Sequence, residues 1–204
     1  MLLDIIGPAI VGPSSSHTAG MARLGRAFRS LFAKTPNEVR FVLNSPLFAT
    51  FRGHGSDRAL QIAKDKGIYF TFEEEDMGDF HPNTVKINGS SGESFLTVTG
   101  ASVGGGSIRI TAIDDFETDV TGKYPSLVIL NADIPGALSK IVGAISSSDM
   151  NISNLFLSRV DPFRHEALCV VELDNEPDEY LLSAIKRLEV VKKVSYLERL
   201  DSLV

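Results

Sequence analysis

The sequence is poor in cysteine, in basic runs and in long apolar runs. Its single cysteine, Cys169, cannot form a disulfide within the chain and cannot hold a structural zinc or a metal cluster alone. Twenty basic residues stand against 26 acidic ones, and the net charge of −6 argues against nucleic acid as a partner. No apolar run approaches the roughly 20 residues of a membrane-spanning helix, and the N-terminus lacks a basic signal-peptide region. The sequence therefore predicts a cytoplasmic protein without a membrane partner.

The composition is that of a folded globular protein. Of the 204 residues, 43% are hydrophobic and 23% are charged, so disorder is not expected. A chain of this length can form one large domain or two small ones, each with its own core. Cys169 lies in the apolar run 167–171, which predicts that it is buried in a strand.

The most distinctive stretch is Gly12-Pro13-Ser14-Ser15-Ser16-His17-Thr18-Ala19-Gly20, directly before an amphipathic run. The helical spacing of the apolar residues that follow it predicts a helix over about 17–34. Serine hydroxyls and free N–H groups at a helix N-terminus favour an anion, and His17 adds a titratable group there. The motif alone leaves a simpler interpretation open, because spacing does not make a nucleophile: one serine is an N-cap, the other two are loop residues, and His17 is an exposed residue of the first turn.

A second histidine lies in a similar local setting. Alternation over 39–43 predicts a strand, and a helix is predicted over about 57–66 with Gly67 as its stop. His54, flanked by Gly53 and Gly55, precedes the N-terminus of that helix as His17 precedes the first one. The acidic run 73–76 is predicted to be a solvated loop.

Two further motifs border predicted strands. Phe80-His81-Pro82-Asn83 precedes a strand at about 84–88, and further strands are predicted at 94–99 and 107–113. Ser102-Val103-Gly104-Gly105-Gly106 predicts a turn where the backbone can approach a ligand or another chain closely. It is neither a phosphate loop nor a dinucleotide fingerprint, since the required residues and the strand-to-helix context are missing.

The polar, acidic segment 114–122 predicts a domain boundary, which gives domains 1–118 and 123–204. Beyond it, the apolar pattern predicts a βαββαβ order, which is the ferredoxin-like arrangement. The predicted strands lie at about 126–131, 152–160, 166–173 and 192–200, and the predicted helices open at Pro135 and Pro177.

The N-terminal motifs resemble the iron-sulfur-dependent L-serine dehydratases, specifically the beta subunit of the two-subunit type. The resemblance covers about 1–113 and rests on the motifs at 12–18, 53–55, 80–83 and 102–106, in the expected order. It implies an N-terminal α/β sandwich-type domain with helices on a mixed or antiparallel sheet. Together with the βαββαβ pattern, the whole chain is expected to be α+β.

The resemblance also implies an activity. Members of this family split L-serine into pyruvate and ammonia with a [4Fe-4S] cluster held by cysteines of the alpha subunit. Those cysteines are absent here, so activity is expected only with an alpha subunit, and no metal ligand is expected in this chain. His17 and His54 are the candidate catalytic residues, and either could be the general base. The candidate substrate-binding residues are Ser14, Ser15, Ser16, Thr18, His81 and Asn83.

The C-terminal strings 131–136 and 149–152 resemble the ACT regulatory module, which typically binds amino acids at a paired interface. The resemblance implies a homodimer through this module and an effector site at Asn131, Asp133, Gly136 and Asn151. Physical chemistry supports this in part, because helix N-terminal N–H groups can bind a carboxylate. The same side chains could instead only cap the helix or occupy a turn.

A rival function remains open. The N-terminal part also resembles the anion- or substrate-binding regulatory domain of some phosphoglycerate dehydrogenases, so the chain could be a non-catalytic amino-acid-binding regulatory protein. His54 discriminates between the two, because a regulatory pocket needs no neutral base. His165 lies outside the motifs and is predicted to be at the surface. A pyridoxal-phosphate lyase is disfavoured, since no lysine stands beside a phosphate-binding glycine loop.

Overall fold

The computed structural model describes residues 19–51, 57–160 and 162–200 and shows a mixed α+β protein, as predicted. Within these ranges no helix is long and apolar enough to cross a membrane. The first half comprises α1 (Met21–Phe32), β1 (Glu38–Asn44), α2 (Ser45–Phe51), α3 (Asp57–Asp65), β2 (Tyr69–Glu75), β3 (Thr84–Ser91), β4 (Ser94–Gly104), β5 (Ser107–Ile113) and β6 (Phe116–Val120). The second half comprises β7 (Ser126–Ala132), α4 (Ala137–Ser146), β8 (Ile152–Arg159), β9 (Glu166–Leu173), α5 (Glu179–Lys186) and β10 (Val191–Leu197).

The first sheet is mixed, as predicted, and has the strand order β2-β1-β3-β4-β5-β6. β1 and β2 are parallel, and the other neighbours are antiparallel. Thr84, at the start of β3, is opposite Ala101 near the end of β4, and β1 ends beside the start of β3. The last residues of β1 and β4 and the first residues of β3 and β5 therefore share one end of the sheet, which we call the site edge.

Helix α1 forms where the apolar spacing predicts it and packs its buried face on the first sheet. Gly89 of β3 lies under its aromatic side chains, because a Cβ there would be 2.3 Å from Cζ of Phe28. The helix ends at Ala33, which has a φ of 59° and whose N–H donates to the Arg29 carbonyl at 3.1 Å. Pro36 follows and cannot continue a helix.

The second sheet has the order β10-β7-β9-β8, with all neighbouring strands antiparallel. Its elements follow the βαββαβ order expected from the sequence. α4 and α5 pack on one face of this sheet through buried Ile141, Ile145, Leu181 and Ile185. Asp178 caps α5 by accepting a hydrogen bond from the Leu181 N–H at 2.7 Å.

The opposite face of the second sheet packs against the first half of the chain. Along β9, Leu168 and Val170 point toward α1 and the first sheet, whereas Cys169 and Val171 point toward α4 and α5. Val128, Leu197 and Leu200 join the same cluster as the side chains of α1. One hydrophobic core therefore extends across the predicted boundary at 118–123.

Three elements differ from the sequence prediction. The polar segment 114–122 contains β6, which pairs with β5 and buries Phe116 and Val120 while Glu117 is exposed. The acidic run predicted to be a loop is instead the end of β2, an edge strand whose glutamate side chains reach solvent. Helix α2 was not predicted, although Pro46 at its second position fits the first turn of a helix.

Candidate functional site

The N-terminus of α1 lies directly against the end of β4. Gly20 precedes the helix, and a Cβ at this position would be 2.0 Å from Oγ and 2.5 Å from Cβ of Ser102. The Ser102 side chain is fully buried, and its hydroxyl donates to the Ser107 carbonyl at 3.5 Å. Gly20, the last residue of the serine motif at 12–20, is thus packed on the site edge.

The glycine turn after β4 completes this contact, and it is a turn as predicted. Gly104, Gly105 and Gly106 all have positive φ values of 110°, 58° and 79°. Nη1 of Arg23, in the first turn of α1, donates to the carbonyl of Gly106, and a Cβ at Gly106 would be 2.9 Å from that nitrogen. The Nε of Arg23 is buried and has no hydrogen-bond partner among the described residues. The positive φ of 79° favours glycine at position 106, and a side chain there would also displace the Arg23 guanidinium.

The loop before β3 contacts the same place. The Ser102 N–H donates to the Asn83 carbonyl at 3.2 Å, and Nδ2 of Asn83 donates to the Ser102 carbonyl at 3.4 Å. Nδ1 of His81 accepts a hydrogen bond from the Asn83 N–H at 3.1 Å, while the imidazole is exposed. In the neutral form, a ring whose Nδ1 accepts carries its proton on Nε2, which is then a hydrogen-bond donor.

Asn44 holds this loop against the end of β1. Its side chain is only 3% exposed, its Nδ2 donates to the His81 carbonyl at 3.3 Å, and its Oδ1 accepts from the Met77 N–H at 3.2 Å. The hydroxyl of Thr84 donates to the same His81 carbonyl at 2.7 Å. The backbone around His81 is therefore fixed by side chains from two strands.

The site edge thus brings together three of the motifs that the sequence analysis singled out. They are joined through Ser102 of the segment 102–106, which packs against Gly20 at the end of the serine motif and exchanges hydrogen bonds with Asn83 of the segment 81–83. His81 and Asn83 lie here. The remaining candidates, Ser14, Ser15, Ser16, His17, Thr18 and His54, lie outside the described residues. Sequence reasoning missed Arg23 and Asn44, because their roles rest on contacts with residues distant in the chain.

Three of the four candidate effector residues meet at one end of the second sheet. Nδ2 of Asn131 donates to the Ala132 carbonyl at 2.8 Å, and its buried Oδ1 has no partner in the described part of the chain. The carboxylate of Asp133 pairs with Arg159 at 2.8 Å. Gly136, with a φ of 85°, is the N-cap of α4.

Asn151 lies at the other end of that sheet. β7 and β8 are both antiparallel to β9, so they run in the same direction. Asn151 precedes the start of β8, whereas the other three residues follow or end β7, which separates them by roughly 20 Å of strand. The Nδ2 of Asn151 donates instead to Asp174 at 2.6 Å. A single chain does not bring the four residues together.

The residues of this chain do not fit an iron-sulfur cluster. Cys169, the single cysteine, is fully buried inside the second sheet's core, and this burial raises the pKa of its thiol to about 11. A cluster ligand has to be a thiolate that the metal can reach. Over 19–51, 57–160 and 162–200, no group of three His, Cys, Asp or Glu side chains is arranged to hold a metal ion.

His165 is exposed, as predicted, and has a φ of 50°. Its carbonyl accepts a hydrogen bond from the Asp133 N–H at 2.9 Å. Its place in the turn before β9, away from the site edge, makes it a suitable control position for substitutions of the other histidines.

Comparison with known proteins gives matches of very different extent. No protein-family model matches the chain. A solved structure, the quorum quenching acylase GqqA, aligns over 37% of this chain and 41% of that one, with 18% identity and a TM-score of 0.31, which is too distant to bear on the argument. The D-3-phosphoglycerate dehydrogenase of Synechocystis sp. is 31% identical over 190 residues, which cover 93% of this chain but only 32% of that protein.

Two relatives match along nearly their whole length. The "Probable L-serine dehydratase, beta chain" of Bacillus subtilis is 34% identical over 212 residues, covering 95% of this chain and 96% of that protein. The "L-serine dehydratase, beta chain" of Peptoniphilus asaccharolyticus is 31% identical over 216 residues, covering 96% of each. Identity above 30% over at least 95% of this chain and of both relatives shows the family, and the chain belongs to the L-serine dehydratase beta chains.

Proposed function

We propose that this chain is the beta subunit of an L-serine dehydratase that deaminates L-serine to pyruvate and ammonia together with an alpha subunit. The names of the two full-length relatives support the reaction and the need for a second chain. The observation that carries the proposal is the site edge, where the N-terminus of α1 contacts Ser102 and the glycine turn. A helix N-terminus beside closely packed backbone suits the carboxylate of an amino-acid substrate.

Ser14, Ser15, Ser16, His17 and Thr18 stand directly before Ala19 and Gly20 in the sequence, so we propose that they act at this edge. We assign the hydroxyls and N–H groups of Ser14, Ser15, Ser16 and Thr18 to the substrate carboxylate. In this account the exposed imidazole of His81 and the amide of Asn83 line the other side of the substrate.

Dehydration of serine requires a base for the Cα proton and an acid that helps the β-hydroxyl to leave. A histidine with a pKa near neutrality is suited to the first task, and His17 and His54 are the candidates in this chain. When present, a [4Fe-4S] cluster supplies a Lewis acid. Because the only cysteine here is buried, we assign that cluster to the alpha subunit and expect this chain alone to be inactive.

Substitution of the two histidines tests their role. We expect His54→Asn or His17→Asn, mixed with the alpha subunit under anaerobic conditions, to lower kcat for pyruvate formation at least about 100-fold in the case of the base. Co-purification of the two chains should be unchanged, and His165→Asn, at an exposed site in the turn before β9, should keep full activity. Full activity of both the His17 and His54 variants would overturn the assignment of the base to this chain.

For the second half we propose an ACT regulatory module, with the chain divided at 1–118 and 123–204 and paired as a homodimer. The βαββαβ order supports the module. Because Asn151 lies a strand length from Asn131, Asp133 and Gly136, an effector site that uses all four needs residues from two copies. Equilibrium ultracentrifugation that finds only a monomer would overturn this pairing.

We also propose a cytoplasmic location.

The alternative is a non-catalytic, amino-acid-binding regulatory protein. The observation that favours it is the match to a region covering 32% of a phosphoglycerate dehydrogenase, a protein named for a different reaction. The two functions differ in a simple way, because a regulatory subunit leaves the partner's own turnover intact in its absence. Full activity of the alpha subunit alone would therefore favour the alternative.

A further inference from the structure

A groove of about 610 Å³ lies at the C-terminal end of α1, away from the site edge. α1 has 12 residues, so its two ends are about 18 Å apart. The groove collects side chains from α1, from the segment after it, from the end of α3 and from the segment after β10. Its lining consists of Arg26, Arg29, Ser30, Ala33, Lys34, Thr35, Pro36, Lys66, Ile68 and Glu198.

The charge of this lining is opposite to that of the chain. Four cationic side chains, Arg26, Arg29, Lys34 and Lys66, face one acidic side chain, Glu198, although the chain carries a net charge of −6. The four cations come from separate turns and elements, and all are exposed. Their proximity costs free energy through like-charge repulsion unless an anion is present.

Two of the cations are already held in place. Nη2 of Arg26 pairs with Glu198 at 3.0 Å. Nζ of Lys34 donates to Oγ of Ser94 at 2.5 Å and to the Ser91 carbonyl at 3.4 Å. For Arg29 and Lys66, the described residues provide no acidic partner. The groove thus contains a fixed ammonium group together with two cations free to bind a ligand.

A simpler explanation exists for part of this charge. Cations stabilise helix C-termini, and Arg29 lies in the last turn of α1 while Lys66 follows the end of α3. That explanation accounts for one cation at each helix end. It does not explain why Lys34, two residues beyond the end of α1, is bonded to Ser91 and Ser94 at the β3–β4 connection.

We propose that this groove binds a compact anion with two or more negative charges, either a phosphorylated metabolite or a small polycarboxylate. Its volume is within the range of about 300–1,000 Å³ that is usual for small-molecule sites. Arg29 and Lys66 are the ligand-binding cations, and Lys34 is a prepositioned third one. The proposal does not rest on the serine dehydratase function, because the groove lies at the opposite end of α1 from the site edge.

Isothermal titration calorimetry of the whole chain tests this, with pyrophosphate and citrate as probes at an ionic strength held constant with sodium chloride. We expect saturable 1:1 binding of at least one probe, and about tenfold or greater weakening in Arg29→Gln/Lys66→Gln. The matched control, Lys123→Gln/Lys140→Gln, removes the same charge elsewhere and should bind as the unmodified chain does. Pyrophosphate binding alone identifies a phosphate ligand, and citrate binding alone identifies a carboxylate ligand.

Absence of saturable binding of either probe would overturn the proposal, as would equal weakening in the control. Thermal unfolding without added anion gives an independent readout. If the groove binds an anion, Arg29→Gln/Lys66→Gln should have an unchanged or higher Tm, because repulsion between the cations is relieved. The variant should also lose the rise in Tm that the bound probe gives to the unmodified chain. A lower Tm combined with undiminished stabilisation by the probe would leave only the helix-end role.

Discussion

Gly20 and Ser102 are the pair of residues on which the geometry of the site edge depends most closely. The helix N-terminus can reach the end of β4 only because no side chain stands at position 20. The conformation of Gly20 is itself ordinary, with φ −63° and ψ −45°, so any residue could adopt it. Space, rather than backbone freedom, is what requires glycine here.

We predict that Gly20→Ala destabilises the fold by about 1–3 kcal/mol, because the added Cβ would lie 2.5 Å from the Ser102 Cβ, which no rotamer change can move. Urea unfolding followed by circular dichroism measures this. Gly25→Ala is the matched control, since nothing lies within 4 Å of its Cβ, and it should be neutral or stabilising by about 0.5–1 kcal/mol. Equal stability of the Gly20→Ala variant and the unmodified chain would contradict the described packing of the α1 N-terminus.

Among the described residues, Glu172 of β9 is a buried carboxylate with no cationic partner. It is 6% exposed, its Oε2 accepts from Nδ2 of Asn154 at 3.3 Å, and its buried Oε1 has no hydrogen-bond partner in the part of the chain that the structure describes. Burial raises the pKa of this carboxyl above its ordinary value of 4.5, and nearby Asp119 raises it further, against the hydrogen bonds from Asn154 and the Thr121 backbone. The folded state therefore favours the protonated form.

We predict that Glu172→Gln stabilises the protein at neutral pH by on the order of 1 kcal/mol and has little effect near pH 4. A pKa raised by folding contributes stability below about pH 4.5, and this contribution is lost as the pH rises through the folded-state pKa. Urea unfolding from pH 4 to pH 8 should show the difference between variant and unmodified chain growing with pH. A constant difference, or one equal to that of exposed Glu176→Gln, would contradict the assignment.

At the scale of elements, α1 connects the parts of the molecule. Its first turn forms the site edge, its buried face packs on the first sheet, and Leu31 and its neighbours in the cluster also contact the second sheet. A small cavity of about 40 Å³ between the sheets is lined by Leu31 together with Leu96, Val128 and Leu168. The stability of the two sheets should therefore be coupled through this helix.

We predict that Leu31→Ala destabilises the protein by about 2–5 kcal/mol and that the loss affects both sheets in one transition. Circular dichroism and exposure of the Cys169 thiol, which reports the core beneath α4 and α5, should change at the same urea concentration. Ile62→Ala, at a 47% exposed position on α3, should have a much smaller effect. Two separate transitions would show that the sheets unfold independently.

The spacing of apolar residues predicts the elements that bury one face, such as α1, and those that bury both faces, such as β9. The 3.6-residue spacing of α1 and the apolar run of β9 lead to bounds close to those observed. Pro135 and Pro177 lie two residues before α4 and α5, so the helices begin slightly later than predicted and the prolines stand outside their first turns. Two strands, β2 and β6, were not predicted, because their acidic composition is typical of loops and linkers. β6 has the alternating burial of a strand, but its acidic residues made the segment resemble a linker, and the glutamates of β2 concealed an edge strand.

The candidate site could be predicted as a set of motifs but not as a geometry. The glycine turn at 104–106 and the polar residues at 81–83 are visible in the sequence, because consecutive glycines indicate a turn and polar residues beside proline indicate a loop before a strand. The roles of Arg23 and Asn44 arise from hydrogen bonds to residues 83 and 37 positions away, and no local pattern encodes such contacts. Likewise, the separation of Asn151 from Asn131 follows only from strand direction.

At the scale of the whole molecule, the packed sheets and α1 hold the polar residues of the site edge in place. The shared core fixes both sheets against α1, and the site edge lies at one end of the first sheet. The chain supplies candidate bases and anion-binding groups, yet its one cysteine is buried in the opposite half. This arrangement supports our proposal that catalysis takes place at a junction with another subunit, with each chain providing groups that the other lacks.

The most direct test is anaerobic pyruvate formation from L-serine by this chain alone, by the cluster-bearing alpha subunit alone and by the two mixed. The account predicts turnover only in the mixture, saturating as this chain is titrated toward a fixed ratio with its partner. Full turnover by the alpha subunit alone, unchanged when this chain is added, would contradict a shared active site.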